Sequence, residues 1–280
     1  MEKQPKKISI ITINLNNREG LEKTIQSVET QVFKDFEWIM VDGASTDGSK
    51  EVVEQHRDLF TSWISEPDTG IYNAMNKGIR MAHGDYLLFL NSGDCLLDDK
   101  VLERTIPYLG ETDYVIGNIA YGKPDNVTDL CEKSFDIGHR LYILIHNYSY
   151  PHQASFMRRA LFDEYGYYRE DLRIVSDWVH MLDSLLLGRA TVKYLPLVVT
   201  LFDPNGISNV RREENAKERK QVLQERPILT LSQKLLDFHL ENYEMVNAMK
   251  GNKFFLWLFR IFFYFWRKSG KHAHTILTDN

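Results

Sequence analysis

The stretch GDYLLFLNSGDCLLDD, Gly84 to Asp99, is apolar from Tyr86 to Leu90 and then stops at a small polar turn that carries one acid, Asp94. A run of that length bounded by turn residues suits a strand buried on both faces. Taken alone, Asn91-Ser92-Gly93-Asp94 is ordinary turn chemistry. Its surroundings give it weight. Upstream, KISIITIN (Lys7 to Asn14) is β-branched and almost continuously apolar, and Leu21, Ile25 and Val28 follow at helical spacing. FEWIMVDGAS gives a second strand ending at Asp42-Gly43, and TDGSKEVVEQHRDLF a helix opened by small polar residues. TSWISEPD is a short third strand. TGIYNAMNKGIRMAHG is a helix capped by Asp68 or Thr69 and closed at Gly84, leading into DYLLFLNSGD as the fourth strand.

Alternating strands and helices predict βαβ units and a mostly parallel sheet, an α/β fold in which ligands bind beyond the carboxyl ends of the strands. All four predicted strands end in polar residues: Asn14, Asn16 and Asn17; then Asp42; then Glu66 and Asp68; then Asn91 and Asp94. From about residue 113 the pattern changes. DYVIGNIAYG reads as a strand, KPDNVTDLCEKSFD as a hairpin region, and RLYILIHNYSYPHQASFMRRALFDEYG as a short apolar segment, a His-Gln pair and a helix. In DLRIVSDWVHMLDSLLLGR, Val175, Val179, Leu182 and Leu186 share a helical face, and ATVKYLPLVVTLFD returns as strands. Residues 209–246 are helical with charges of mixed sign, the pattern of a solvated face.

The tail KFFLWLFRIFFYFWRK (Lys253 to Lys268) is intensely aromatic and flanked by cations. It falls short of the ~20 apolar residues of a spanning helix. Its composition predicts an interfacial helix on a membrane surface, with packing on the domain or on a second subunit as the alternative. A formal charge of −5 and the lack of a basic stripe before the tail argue against nucleic acid as a partner. Two cysteines, Cys95 and Cys131, without a CxxC, fit a reducing cytoplasm better than a disulfide framework. No GxGxxG follows the first strand, and GxxxxGK[ST] and GxSxG are also missing. These gaps disfavour a dinucleotide oxidoreductase, a P-loop NTPase and an α/β-hydrolase.

In order and spacing, ISIITINLNN, EWIMVDGASTDGS, SEPDTGIYNAMNKGI and GDYLLFLNSGD resemble the nucleotide-sugar-binding half of family 2 glycosyltransferases with the GT-A fold, particularly the bacterial polysaccharide-assembly branch. The resemblance covers about residues 7 to 205 and implies a GT-A domain over 1–208, with a nucleotide-sugar-binding half (7–112) and an acceptor-side half (113–208). A helical extension would then occupy 209–280.

By that resemblance Asp42 holds the base or ribose of the donor, with Thr12 and Asn14 lining the same pocket; the alternative for Asp42 is a helix or turn cap ahead of Gly43. Glu66 and Asp68 border the nucleotide, Asn76 and Lys77 lie on the helix that closes over it, and Asn91 joins the donor set. Asp94 matches the acidic position that holds a divalent cation, Mg²⁺ or Mn²⁺, on the donor diphosphate, whereas Asn91 and Gly93 stand where acids are frequent in the family. Asp177, in IVSDWVHML, matches the general base; the bland alternative is a first-turn carboxylate interacting with the helix dipole. His152 and Gln153 match a polar pair near the acceptor or diphosphate. The expected reaction is inverting transfer of a sugar from a nucleotide-diphosphate sugar to a saccharide or polyprenyl-linked acceptor, at the inner face of the cell membrane. A nucleotidylyltransferase and a non-catalytic scaffold are the rivals.

Overall fold

The computed structural model describes residues 7–123, 126–128, 140, 143–145, 149–203, 211–227, 229 and 230. The first strand, β1 (Ile8–Asn14), is buried along its whole length and divides its side chains between the two faces of a sheet. Ile8 and Ile10 pack with Leu21, Ile25 and Val28 of α1 (Arg18–Glu29), whereas Ile11 and Ile13 pack with Tyr72, Met75 and Ile79 of α3 (Ile71–Met81). Apolar residues on both faces are what a strand covered by helices on each side requires. β2 (Glu37–Asp42), β3 (Ser62–Ser65) and β4 (Tyr86–Phe89) run parallel with β1, and α2 (Ser49–Gln55) crosses from β2 to β3. Gly78 brings α3 against β1, since a Cβ there would stand 2.4 Å from Ile11 Cγ2.

The predicted α3 cap is shifted. Gly70 occupies the cap position without a side-chain bond, while Asp68 accepts from the Gly70 amide one step earlier, and the helix ends at Met81 rather than Gly84. The quoted turn is closed by the Asp94 amide donating to the Asn91 carbonyl, with Gly93 at φ +105 in the left-handed region that favours glycine. The chain then enters β5 (Cys95–Leu96), followed by α4 (Val101–Thr105).

In the second half β6 (Tyr114–Tyr121) pairs with β7 (Val127–Thr128), and β8 (Ser155–Arg158) slots between β4 and β6, antiparallel to both. β9 (Val192–Phe202) is one eleven-residue strand parallel to β6, with the register shifting opposite exposed Pro196. Proline cannot donate to the ladder, so an irregularity there avoids a broken bond. The order among the described residues is β3-β2-β1-β4-β8-β6-β9-β5. Six strands therefore finish at one edge, and the antiparallel β8 begins there.

β8 was not anticipated from sequence; the helix after it, α5 (Ala160–Tyr165), is correspondingly short. α6 (Ser176–Met181) begins later than the periodicity predicts and continues as a π-helical turn over Leu182–Leu187. Val175, Val179, Leu182 and Leu186 are all buried, as expected. α7 (Arg212–Gln224) sends Val222 and Leu223 into the core that holds Ile11 and Ile13, with Leu229 just beyond its end. Most of its charges face water, as expected of a solvated face; Glu218 is half-buried and Arg219 buried against the domain. No helix among the described residues is long and apolar enough to cross a membrane, and the aromatic tail 253–268 lies outside them.

Candidate active site

At the ends of β1, β2 and β3 the Asp42 carboxylate is wholly buried and accepts four hydrogen bonds. Oδ1 takes Asn14 Nδ2 at 3.0 Å and Ser45 Oγ at 2.5 Å; Oδ2 takes the Ser45 amide at 3.0 Å and Ser65 Oγ at 2.7 Å. Burial by itself would raise the carboxyl's pKa, but these donors outweigh it and hold the group below its ordinary value. All four acceptor positions are used. Asp42 is therefore a clamp across three strand ends, and offering an oxygen to a ligand requires a serine to turn away.

Several other expected donor residues are similarly engaged. Thr12 is completely buried and accepts from Trp38 Nε1 at 3.0 Å inside the core, so it does not line an opening. Asn76 is a bracket: its amide donates to the Tyr168 carbonyl and Glu170 Oε1, both at 2.8 Å, and its oxygen accepts from the Tyr168 amide. Lys77 donates to the Pro67 carbonyl and pairs with Glu66 at 2.7 Å, which pins the β3–α3 connection. Asp68 lies over Gly43, where a Cβ would come within 2.5 Å of Asp68 Oδ2.

Asp94 and Asp177 occupy different electrostatic settings. Asp94 is 5% exposed, its Oδ1 accepts from the Asp203 amide at 3.0 Å, and the Gln153 side chain also donates to it. Burial pushes its carboxyl up to about 7, against the pull of the Asp203 amide and the His152 charge, while the Asp203 charge adds to the rise. Asp203 follows β9 and was not singled out from sequence. Its Oδ2 stands 2.9 Å from where a Gly93 Cβ would lie, so a carboxylate from the far end of the domain fills the space beside the turn where sequence reading misses an acid. The only local hint was its place at a strand end.

Asp177 sits in the first turn of α6 and accepts from Tyr72 Oη at 2.8 Å through Oδ1, with His152 Nδ1 3.1 Å from Oδ2 and the Trp178 amide also bonded to it. Burial alone would raise its pKa, but the bond to and charge of His152, with Tyr72, more than offset this and keep it low. Burial would lower His152, but the bond to Asp177, then the charges of Asp177 and Asp94, raise it. His152 Nε2 is buried without a hydrogen-bond partner among the described residues. Tyr72 Oη, Asp177 and His152 thus form a polar chain that turns toward Asp94 and Asp203. Unlike Asp42, Asp177 keeps one acceptor position open among the described residues.

Among the described residues no cluster of three or more His, Cys, Asp or Glu side chains stands ready to hold a metal. Two hard carboxylates, one of them destabilised as an anion by burial, suit a divalent cation whose remaining ligands are phosphate and water. Cys95 is half-buried and its thiol is pushed up by burial, which leaves it a poor ligand beside them.

Comparison with known proteins bears on the family and the fold. The family model for glycosyl transferase family 2 matches residues 9–166, more than half the chain. A PGL/p-HBAD biosynthesis glycosyltransferase of Mycobacterium tuberculosis (strain ATCC 25177 / H37Ra) is 30% identical over 212 residues, covering 72% of this chain and 78% of that protein. The putative teichuronic acid biosynthesis glycosyltransferase TuaG of Bacillus subtilis is 34% identical over 107 residues, 37% of this chain and 42% of that one. In fold, the chain resembles S. aureus TarS 1–349 in complex with UDP-GlcNAc, with a TM-score of 0.60 at 20% identity over 71% of this chain and 59% of that one. It likewise resembles the mannosyltransferase PcManGT of Pyrobaculum calidifontis in complex with GDP-Man and Mn²⁺, with a TM-score of 0.59 at 17% identity over 100% of this chain and 88% of that one. The mixed sheet with flanking helices is that of GT-A glycosyltransferases, and neither rival expectation is favoured. Sequence and architecture converge, and the chain belongs to glycosyl transferase family 2 as an enzyme of glycosyl transfer.

Proposed function

We propose that this enzyme transfers a sugar from a nucleotide-diphosphate donor to a hydroxyl of a saccharide or lipid-linked saccharide, with inversion at the anomeric carbon, in cell-surface polysaccharide biosynthesis. The observation that carries the reading is a pair of carboxylates in contrasting surroundings: Asp177, at the start of α6, held ionised by Tyr72 and His152, and Asp94, after β4, raised by burial next to Asp203. Carboxylates whose environments push their pKa values apart are the mark of divided chemical roles.

Asp177 takes the proton of the acceptor hydroxyl as that oxygen attacks, using its remaining acceptor position. A single in-line displacement with one base inverts the centre. Asp94 and Asp203 would hold a divalent cation, Mg²⁺ or Mn²⁺; when bound, such an ion neutralises charge on the departing diphosphate. His152 orients Asp177 through Nδ1 and directs Nε2 toward the diphosphate side, with Gln153 fixing Asp94. Asn14, Asp42 and Asn91 shape the nucleotide end, and Glu66, Asp68, Asn76 and Lys77 keep the β3–α3 wall in place. UDP-GlcNAc and GDP-mannose are the donors to try first, since related folds are known with them.

Release of UDP or GDP from these donors, measured with Mn²⁺ and with a saccharide acceptor or water, tests the assignment. Asp177→Asn is expected to lower kcat by at least about a hundredfold with nucleotide binding retained, consistent with the usual contribution of a general base. Asp94→Asn is expected to weaken Mn²⁺-dependent binding of UDP in calorimetry. Full activity in both variants refutes the reading. The tail over 253–268 docks the enzyme on the inner face of the membrane, where a polyprenyl-linked acceptor resides. A chain lacking residues 250–280 should lose vesicle binding, and unchanged binding refutes the docking.

A further inference from the structure

Asp177 lies beyond the 9–166 span of the family match, in a six-residue helix with no side-chain cap, yet its carboxylate must be aimed at a hydroxyl. Two residues of α7 grip the chain on either side of it. Glu218 accepts from the Arg173 amide at 2.8 Å through Oε1 and from the Ile174 amide at 2.9 Å through Oε2, fixing the segment that enters α6. Arg219 is 8% exposed, its Nε donates to Asn215 Oδ1 at 2.8 Å, and its guanidinium lies 4.4 Å above the ring of Trp178, the residue after Asp177. The charge of Arg219 acts on both Asp177 and Tyr72. Trp178 is locked from its other end, where Nε1 donates to the Leu144 carbonyl at 2.7 Å.

Around this grip α7 is tied to the domain by ion pairs that do not touch Asp177: Glu225 with Arg169 at 2.5 Å, and, just past the helix, Arg226 with Asp183 at 2.8 Å. Those bonds and the Val222 and Leu223 contacts also hold the helix on the domain. A buried arginine requires specific partners, because desolvating a cation is costly; here they include Asn215 Oδ1 and the Trp178 face beside Asp177. We infer that Glu218 and Arg219 are positioning residues for the glycosyl transfer reaction, and that α7 sets the placement of Asp177 from outside the nucleotide-binding half.

This rests on Asp177 being the base. Because a misplacement of about 1 Å at a reacting group can cost about a hundredfold in rate, loss of the grip should appear mainly in kcat. The test uses the full chain and the variants Glu218→Ala, Arg219→Met, Arg219→Lys and Asp177→Asn. Hydrogen-exchange mass spectrometry reads the peptide spanning 171–178 against peptides from β1 and β4, and UDP release from UDP-GlcNAc and GDP release from GDP-mannose, with Mn²⁺, read turnover.

The expected result is exchange at least about tenfold faster over 171–178 in Glu218→Ala and Arg219→Met with β1 and β4 unchanged. Alongside it, kcat falls about tenfold or more with donor KM within about twofold, and Arg219→Lys recovers most of the kcat. Unchanged exchange in both variants, or unchanged kcat where exchange is faster, overturns the inference. If Arg219→Met does not fold, Glu218→Ala decides; if neither donor is turned over, the exchange result decides. Activity that survives in Asp177→Asn refutes the base assignment itself, whereas a dead Asp177→Asn beside a fully active Arg219→Met removes only the role of α7.

Discussion

Replacing Asp42 takes away one acceptor group from four donors at once, and the geometry says how much each replacement should cost. In Asp42→Ala the two serine hydroxyls can rotate to other acceptors and Asn14 Nδ2 keeps Ser45 Oγ at 3.1 Å, but the Ser45 amide is left without a partner. An unpaired buried donor costs about 1–3 kcal/mol and bonds to a charged acceptor contribute about 1.5–3 kcal/mol each, so a net loss of about 4 kcal/mol is expected. Asp42→Asn should be milder. Asn14 Oδ1 is buried and unpartnered among the described residues; an amide flip at Asn14 would let it accept from the new carboxamide, while the remaining oxygen serves Ser45 and Ser65. Only charge assistance is then lost, about 2 kcal/mol.

At this chain size each kcal/mol shifts Tm by about 2–4 °C, which places Asp42→Ala roughly 8–16 °C and Asp42→Asn roughly 4–8 °C below the parent. The pH dependence has a definite sign. The folded carboxyl lies below its ordinary 3.8, so the advantage of aspartate over asparagine is full above that value and disappears as pH falls through the folded pKa. Urea unfolding of parent and Asp42→Asn at about pH 7 and about pH 3 reads the gap, with titrations common to both proteins cancelling. Equal stabilities at neutral pH, or a gap that does not narrow in acid, would refute the clamp.

Gly78→Ala should destabilise by about 1–3 kcal/mol through overpacking against Ile11, and Ile11→Ala should cost less in that background than in the parent, a coupling that a double-mutant cycle measures. Gly93→Ala strains a left-handed position and drives a methyl to 2.9 Å from Asp203 Oδ2, so calorimetry should find weaker Mn²⁺ binding in the presence of UDP. His180 is stacked on Phe162 at 4.4 Å, and burial pushes it down to about 4; stability tied to its neutral ring is full above about 6.5 and declines by about 3 kcal/mol as pH falls to about 4. His180→Leu should flatten that acid-side slope in urea titrations.

Much of the nucleotide-binding half was legible in sequence, because the signals that make a parallel strand and its turn are local: unbroken β-branched runs, then Asn, Asp, Ser and Gly. Two pieces were not. β5 and β8 exist because partners about forty or more residues away in sequence offer them hydrogen bonds, and neither lies in a strand-length apolar run bounded by turn residues. The site residues divide along the same line. Asp94, Asp177 and His152 could be picked out by motif. That Thr12 turns into the core, that Asn76 is consumed by Tyr168 and Glu170, and that Tyr72 reaches Asp177 depend on which way each side chain faces once the layers have packed.

By itself the sequence determined the βαβ order, the common edge where the strands finish, and the family, since each follows from patterns within a few tens of residues. The tertiary structure alone decided which side chains meet. Asp203 meets Asp94 across 109 residues and Tyr72 meets Asp177 across 105, and α7 closes on the Asp177 segment from beyond residue 210. Such meetings leave no periodic trace along the chain. Each is set by burial, where a charge withdrawn from water must be answered by whichever group the fold brings near.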